Sequence, residues 1–313
     1  MLDFSNSKIL IVGDVMLDKY YFGKVDRISP EAPVPIVNIQ KEESRLGGAS
    51  NVANNIVSLG GHSLLCGVIG HDLFGKEIER ISRHKNIDTF LLKTSSPTIT
   101  KARIIGGKQQ IVRVDYEDKS ELNADNKKLF RDTISRILPE YDILVISDYG
   151  KGLISEDLCR YLIKLAHKYD KKVIIDPKGK NWEKYSGADI VTPNVKELSD
   201  IVGYTVPNTD RAIEKAAREA ITNNHLTALL VTRSDKGMSL IGPIPPIHIP
   251  THSEEVFDVS GAGDTVVATL GLCLAAGFEI SEAMRTANIA AGIVVKKVGT
   301  ATLTIEELGI FSK

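Results

Sequence analysis

Two aspartates enclose three residues with almost no side chain in the stretch DVSGAGDT, residues 258–265. A long apolar segment, TVVATLGLCLAAG, overlaps its end. Gly261, Ala262 and Gly263 give a backbone that can approach a ligand closely, at the start of the helix that this apolar segment predicts. Amides pointing the same way at a helix start hold an oxyanion, and the helix dipole favours negative charge there. Asp264, in the first turn, is placed to accept the proton of a substrate hydroxyl. Together these parts suit phosphoryl transfer, in which preorganised donors stabilise the migrating group. The octapeptide also describes an ordinary capped helix start, with Asp264 merely favourable to the dipole.

Two further stretches carry chemistry. In LGGASNVANN (46–55), Gly47 and Gly48 open a helix bearing Asn51, Asn54 and Asn55. Amides on one helical face suit hydroxyl-rich ligands, although two glycines and an asparagine also make a plain turn and cap. In TPNVKE (192–197), Asn194 and Glu197 share one face of a helix that starts at a strand's carboxyl end. An amide and a carboxylate there can hold hydrated Mg²⁺ and nucleotide phosphates. The same pair also fits a capping box.

Two decoys fall away. GHDLFGKE (70–77) nearly matches a P-loop, but Glu77 stands where a hydroxyl must meet Mg²⁺, and Leu73 and Phe74 crowd the loop. His248 and His252 lie in a proline-rich extended segment and share no helix face, so they make no metal site.

These residues need a frame. Short apolar runs at 8–16, 64–70, 142–148, 172–177, 189–194 and 228–233 read as buried strands. Helical patterns at 50–59, 74–85, 124–138, 155–169, 195–202 and 210–224 separate or follow them. The alternation predicts an α/β fold with a mostly parallel sheet covered on both faces. Ligands in such sheets sit outside the carboxyl ends of the strands, where Asp14, Asp148, Asp176, Asn194 and Thr232 fall. VPIVNIQ (34–40) and ITKARIIGGKQQIVRVDYE (99–117) break the rhythm. The second reads as a hairpin, and together they predict a small inserted β-sheet, as a lid or a dimer surface. The segment 242–255 reads as a connector with short edge strands.

The chain has 313 residues, a net charge of −1, 42% hydrophobic and 25% charged residues. There is no global basic field for nucleic acid or an anionic membrane. Cys66, Cys159 and Cys273 form no CxxC pattern and read as buried thiols in a reducing compartment. No signal peptide and no run long enough to span a membrane stand out, so the expected location is the cytoplasm.

GGASNVANN, TPNVKE, VTRSDKG (231–237) and DVSGAGDT occur in the order found in the ribokinase family of sugar kinases, the phosphofructokinase-B superfamily, which the chain strongly resembles. The resemblance implies a Rossmann-like domain with a β-sheet lid that often mediates dimerisation, and transfer of the ATP γ-phosphate to a sugar hydroxyl. It implies that Asp264 is the base and that Gly261, Ala262 and Gly263 form the anion hole. Asn194 and Glu197 would organise Mg²⁺ and phosphate, with Val195, Lys196, Thr232, Gly237, Lys297 and Gly299 also on the ATP side. Asp258 resembles part of a loop that binds a monovalent cation such as K⁺ in several relatives.

Residues 13–37 and 100–118 narrow the resemblance to the D-glycero-β-D-manno-heptose 7-phosphate kinases of that family, which phosphorylate O1 on the route to ADP-heptose and the lipopolysaccharide core. A phosphorylated acceptor needs cations at the lid, and Lys101, Arg103 and Arg113 lie there, although the same residues fit a solvated strand face. Asp14, Asp18 and Asp148 can accept hydrogen bonds from sugar hydroxyls, beside Gly47, Gly48 and Asn51. The expected organisation is one kinase domain over 1–313, with a lid from about 18–40 and 98–118 and a homodimer formed through it. Many such kinases are fused to an adenylyltransferase domain; none is expected within these residues, and a monofunctional protein and an isolated domain both remain open. The alternatives are a kinase of this family for another sugar or sugar phosphate, and a non-catalytic sugar or nucleotide sensor on the same fold.

Overall fold

The computed structural model describes residues 2–251 and 256–311. His252 and the end of the 242–255 connector lie outside the described residues.

The chain enters through β1 (Lys8–Gly13) and leaves the main body at once into two long strands, β2 (Val15–Ile28) and β3 (Pro35–Gly48). It returns through helix α1 (Ala49–Ser58), β4 (His62–Gly70), α2 (Leu73–His84) and β5 (Asp88–Thr94). A second excursion makes β6 (Thr100–Gly106) and β7 (Gln109–Tyr116). Then α3 (Ala124–Ile137), β8 (Ile143–Ser147), α4 (Glu156–Lys168), β9 (Lys172–Asp176) and β10 (Ile190–Val191) alternate. They are followed by α5 (Val195–Val202), α6 (Asp210–Asn224), β11 (Leu229–Thr232), β12 (Met238–Ile241) and β13 (Ile247–Ile249). Helices α7 (Ala262–Ala275), α8 (Ile280–Val294) and α9 (Ile305–Phe311) close the chain.

Among the described residues, nine strands form the main sheet in the order β13-β12-β11-β10-β9-β8-β1-β4-β5. Pairing is parallel from β11 to β5, and β12 and β13 add an antiparallel edge. Strand alternation explains the double covering. Ile9, Ile11, Val145, Ile174 and Leu230 face one core with α1, α7 and α8. Leu10, Val12, Leu144, Ile146, Val173 and Ile175 face the other, against α3, α4 and α6. Helix α7 is apolar almost all round because it lies on the sheet between α1 and α8 and packs against both. The three cysteines are buried and free, as composition suggested. No described helix is long and apolar enough to cross a membrane.

The lid is the four-stranded sheet β3-β2-β6-β7. The hairpin turns at Gly107, whose φ is 64°, between β6 and β7. Three boundaries differ from expectation. The run 8–16 is not one strand: it ends at Gly13, and Val15 and Met16 already belong to the lid. The lid also reaches Gly48 rather than 40, because the polar stretch KEESR continues β3 opposite β2 without an apolar period to betray it. The strand expected over 189–194 shrinks to Ile190–Val191, since Thr192–Asn194 turn into α5.

Candidate active site

Asp264 sits in the first turn of α7, whose cap is Gly261 with φ 78°. That conformation favours glycine, and a Cβ there would lie 2.8 Å from Asn51 Nδ2. The residue is 3% exposed. Its Oδ2 accepts from Asn51 Nδ2 at 2.7 Å and its Oδ1 from the Tyr149 hydroxyl at 2.7 Å. Burial pushes its pKa up to about 6, with Asp18 acting the same way; Asn51, Tyr149 and Lys101 oppose the rise. A base tuned there is ionised at neutral pH and still basic enough to take a hydroxyl proton. The Ala262 N–H turns back to the Val259 carbonyl at 3.2 Å, which leaves the amides of Gly261 and Gly263 as the free part of the expected anion hole among the described residues. A Cβ at Gly263 would meet nothing within 4 Å, so its face is open.

The residues expected on the acceptor side gather around Asp14 and the lid. Asp14, 2% exposed, uses Oδ2 to accept the N–H groups of Tyr149 at 2.8 Å and Lys151 at 3.0 Å. Its Oδ1 is buried without a partner among the described residues, and so is Thr94 Oγ1. Both residues border a cavity of about 260 Å³ that Lys151 and Asn126 also line. Burial, then the charge of Asp148, raises the Asp14 pKa to about 6. Strand register aligns Asp18 with Lys101, and Tyr20 with Arg103, which pairs with Arg113. All therefore share one lid face. Arg103 Nη1 lies 2.6 Å from Asp18 Oδ1, and its guanidinium is 5.2 Å from the Tyr20 ring centre, with Arg45 at 5.0 Å from the same ring. Lys101 is 5.5 Å from the centre of the Tyr149 ring, and burial lowers its pKa.

Several expected residues take other roles. Asp148 faces inward: its oxygens accept from Gly150 N–H at 2.7 Å, from the Tyr185 hydroxyl at 2.7 Å and from Lys184. It holds the 148–152 turn rather than a sugar hydroxyl, because a strand-end aspartate followed by glycines also suits that task. Arg113 is exposed and gripped by Asp115 on its own strand at 2.8 and 2.9 Å, so it is not a free cation. Gly47 and Gly48 end β3 and Gly48 caps α1, which starts at Ala49; a Cβ on Gly47 would lie 2.5 Å from Asp18 Oδ2, so this bare backbone also seats Asp18.

On the expected ATP side, Asn194 and Glu197 close a capping box, with bonds of 2.9 and 3.1 Å. Glu197 also meets Lys178 at 3.0 Å. The Asn194–Thr232 bridge sets these two residues side by side. Gly237 turns the chain with φ 78° and packs on β13. Val195 packs on the core, while Lys196 pairs with Asp200 at 2.7 Å on the surface. Lys297 is held by Glu307 at 2.7 Å and ties down α9 instead of facing a ligand. Gly299 gives its N–H to Asp258 at 2.8 Å and stands against Arg45 and Tyr20 of the lid.

Sequence reasoning missed Tyr149, Arg45 and Lys184, and left Asp176 without a role. Asp176, at the end of β9, links the two sides: burial first, then Asp264 and Glu197, pushes its pKa well up. Only the adjacent SDYGKG motif pointed at Tyr149; nothing local marked Arg45, which reaches the Val298 carbonyl at 2.7 Å.

A buried carboxyl at a bare helix start, facing a cationic sheet on a parallel α/β body, is the arrangement expected of a sugar-kinase site. The chain belongs to the pfkB family of carbohydrate kinases, whose model matches residues 6–307. It is 46% identical over 308 residues to the "Bifunctional protein HldE" of Haemophilus influenzae, covering 98% of this chain and 63% of that one. The protein of that name from Nitratiruptor sp. is 43% identical over 301 residues, with 64% of its length covered. The chain thus spans less than two thirds of the curated relatives it matches. Phosphofructokinase-2 from Escherichia coli in complex with potassium superposes with a TM-score of 0.80 at 20% identity, over 97% of each chain. Ribokinase from Thermotoga maritima gives 0.76 at 23% identity, over 97% of this chain and 98% of that one. These neighbours establish the ribokinase-like fold.

Proposed function

We propose that the protein phosphorylates D-glycero-D-manno-heptose 7-phosphate at O1 with ATP, giving the 1,7-bisphosphate for the ADP-heptose route to the lipopolysaccharide core. The observation that carries this reading is the placing of Lys101 and Arg103 beside Asp18 on one lid face, with Lys101 and Asp18 near enough to Asp264 to act on its charge. An acceptor with both hydroxyls and an anionic tail matches that pairing of carboxylates and cations.

In this mechanism the sugar O1 attacks the γ-phosphorus in line. The O1–P bond forms, the bond to the β,γ-bridging oxygen breaks, and ADP leaves with that electron pair. Asp264 Oδ takes the O1 proton while the amides of Gly261 and Gly263 face the charge on the migrating group. Mg²⁺ neutralises phosphate charge when bound. Glu197 and Asn194 would hold that Mg²⁺, and the Asp258 loop would take a monovalent cation. The apolar lid residues Val112, Val114 and Tyr116, exposed opposite the cationic face, suit a homodimer through the lid.

ADP release with Mg·ATP tests the reading, with the heptose 7-phosphate run beside fructose 6-phosphate and ribose. Turnover on the heptose phosphate alone is expected. Turnover only on another sugar overturns the substrate, and none on any sugar in a sample that binds ATP favours a sensor.

A further inference from the structure

Tyr149 makes three contacts that no other described residue combines. Its N–H donates to Asp14 Oδ2 at 2.8 Å, its hydroxyl donates to Asp264 Oδ1 at 2.7 Å, and its ring carries Lys101 at 5.5 Å. The direction of the second bond is fixed, since an ionised carboxylate only accepts. Asn51 holds the other oxygen of Asp264 at 2.7 Å. Two donors on two oxygens fix the rotation of the carboxyl group, and each oxygen keeps a lone pair for the acceptor's proton. The residue is itself clamped, because Asp148, bound by Lys184 and Tyr185, sets the turn that begins at Tyr149.

We propose that Tyr149 is a positioning residue for the base: its hydroxyl orients Asp264, and its ring seats Lys101, so that the base is aligned when the lid lies over the acceptor. This rests on the kinase reading above. The charged and titratable groups facing Asp264 are Asp18 from β2, Lys101 from β6, Tyr149 after β8 and Asp176 at the end of β9, with Asn51 the polar neighbour from α1. Of these, Tyr149 and Asn51 alone hydrogen-bond the carboxylate among the described residues. The Tyr149 bond favours the ionised base, and Asp264 in turn helps push the phenol pKa well up, after burial.

The test replaces the hydroxyl and then strengthens it. Tyr149→Phe keeps the ring, and 3,5-difluorotyrosine at position 149 keeps the shape while donating more strongly. In Tyr149→Phe the acid limb of the kcat/KM profile should move up by about one pH unit, the size of a lost hydrogen bond to a charged group. Its kcat at pH 8 should fall roughly tenfold, with KM for ATP unchanged. Difluorotyrosine should move the acid limb down. An unmoved acid limb in both variants overturns the proposal, even if activity falls, because a structural role alone would not shift it. If Tyr149→Phe does not fold, the difluorotyrosine shift decides. The wild type and Asp264→Asn separate the failures: no ADP release by the wild type sinks the kinase reading, full turnover in Asp264→Asn removes Asp264 as the base, and an inactive Asp264→Asn with unshifted Tyr149 variants sinks only this inference.

Discussion

Asn51 and Asp264 lie 213 residues apart, yet the amide of one donates to the carboxylate of the other at 2.7 Å. The contact joins the first turns of α1 and α7, which pack side by side on one face of the sheet. A second bond, from Thr265 Oγ1 to Asn55 Oδ1 at 3.1 Å, repeats it one turn deeper. Two sequence motifs that looked independent are thus two halves of one site.

Replacing Asp264, the proposed base, should slow chemistry without unfolding the protein. Asp264→Asn is expected to lower kcat by roughly 10²–10⁴-fold, the range for losing a general base. Steady-state kinetics beside a thermal melt checks this; unchanged turnover would remove Asp264 from the mechanism.

The raised pKa of the base predicts a pH limb. With Asp264 near 6 in the fold, kcat/KM should fall with unit slope below about pH 6 and be flat above it until another group titrates. A limb near pH 4 would show that Asp264 is not desolvated in solution.

Stability should respond to Asp14 in the opposite sense to most acids. Its folded pKa is raised to about 6 from 3.8, so its contribution is fully present below 3.8 and lost as pH rises through about 6. Asp14→Asn removes that loss, and its amide can replace the unpartnered Oδ1 without displacing the N–H donors of Tyr149 and Lys151. The variant should be more stable than the wild type by at most about 3 kcal/mol above pH 7, with no gain at pH 4. Denaturant melts at both pH values check the sign.

The two glycines of the helix start should separate folding from function. Gly261→Ala forces φ 78° on a side chain and presses on Asn51, so it should lower Tm by several degrees. Gly263→Ala meets nothing within 4 Å and should leave Tm unchanged or higher. Its methyl nevertheless faces the space proposed for the migrating phosphoryl group, so kcat should fall. Melts and kinetics on the two variants check the contrast.

The lid predicts a split in binding. Arg103→Ala should raise KM for a phosphorylated sugar by tenfold or more, in line with roughly 1.5–3 kcal/mol for a hydrogen bond to a charged group. KM for ATP should stay within about twofold. Equal effects on both would place Arg103 in a purely structural ion pair with Asp18.

Periodicity made the main fold legible. The helices over 195–202 and 210–224 have those bounds, because apolar spacing and caps are local properties. The lid was legible only in part. Its strand β3 is polar along 41–45 and is recognised by pairing with β2, which local composition does not carry. The same limit governs the site. Asp264 and Asn51 stood in motifs whose bare backbone is itself a signal. Tyr149 and Arg45 act through partners far along the chain, and nothing beside them announces those partners. Lys297 and Arg113 show the converse error: a cation in a suggestive segment was already held by Glu307 or Asp115.

The most direct measurement is the ³¹P NMR spectrum of the product made from Mg·ATP and D-glycero-D-manno-heptose 7-phosphate. The account predicts a second, acid-labile anomeric phosphate on the sugar beside the original one, formed by the wild type and absent with Asp264→Asn. A sugar phosphorylated at any other oxygen, or an anomeric phosphate made equally well by Asp264→Asn, would contradict it.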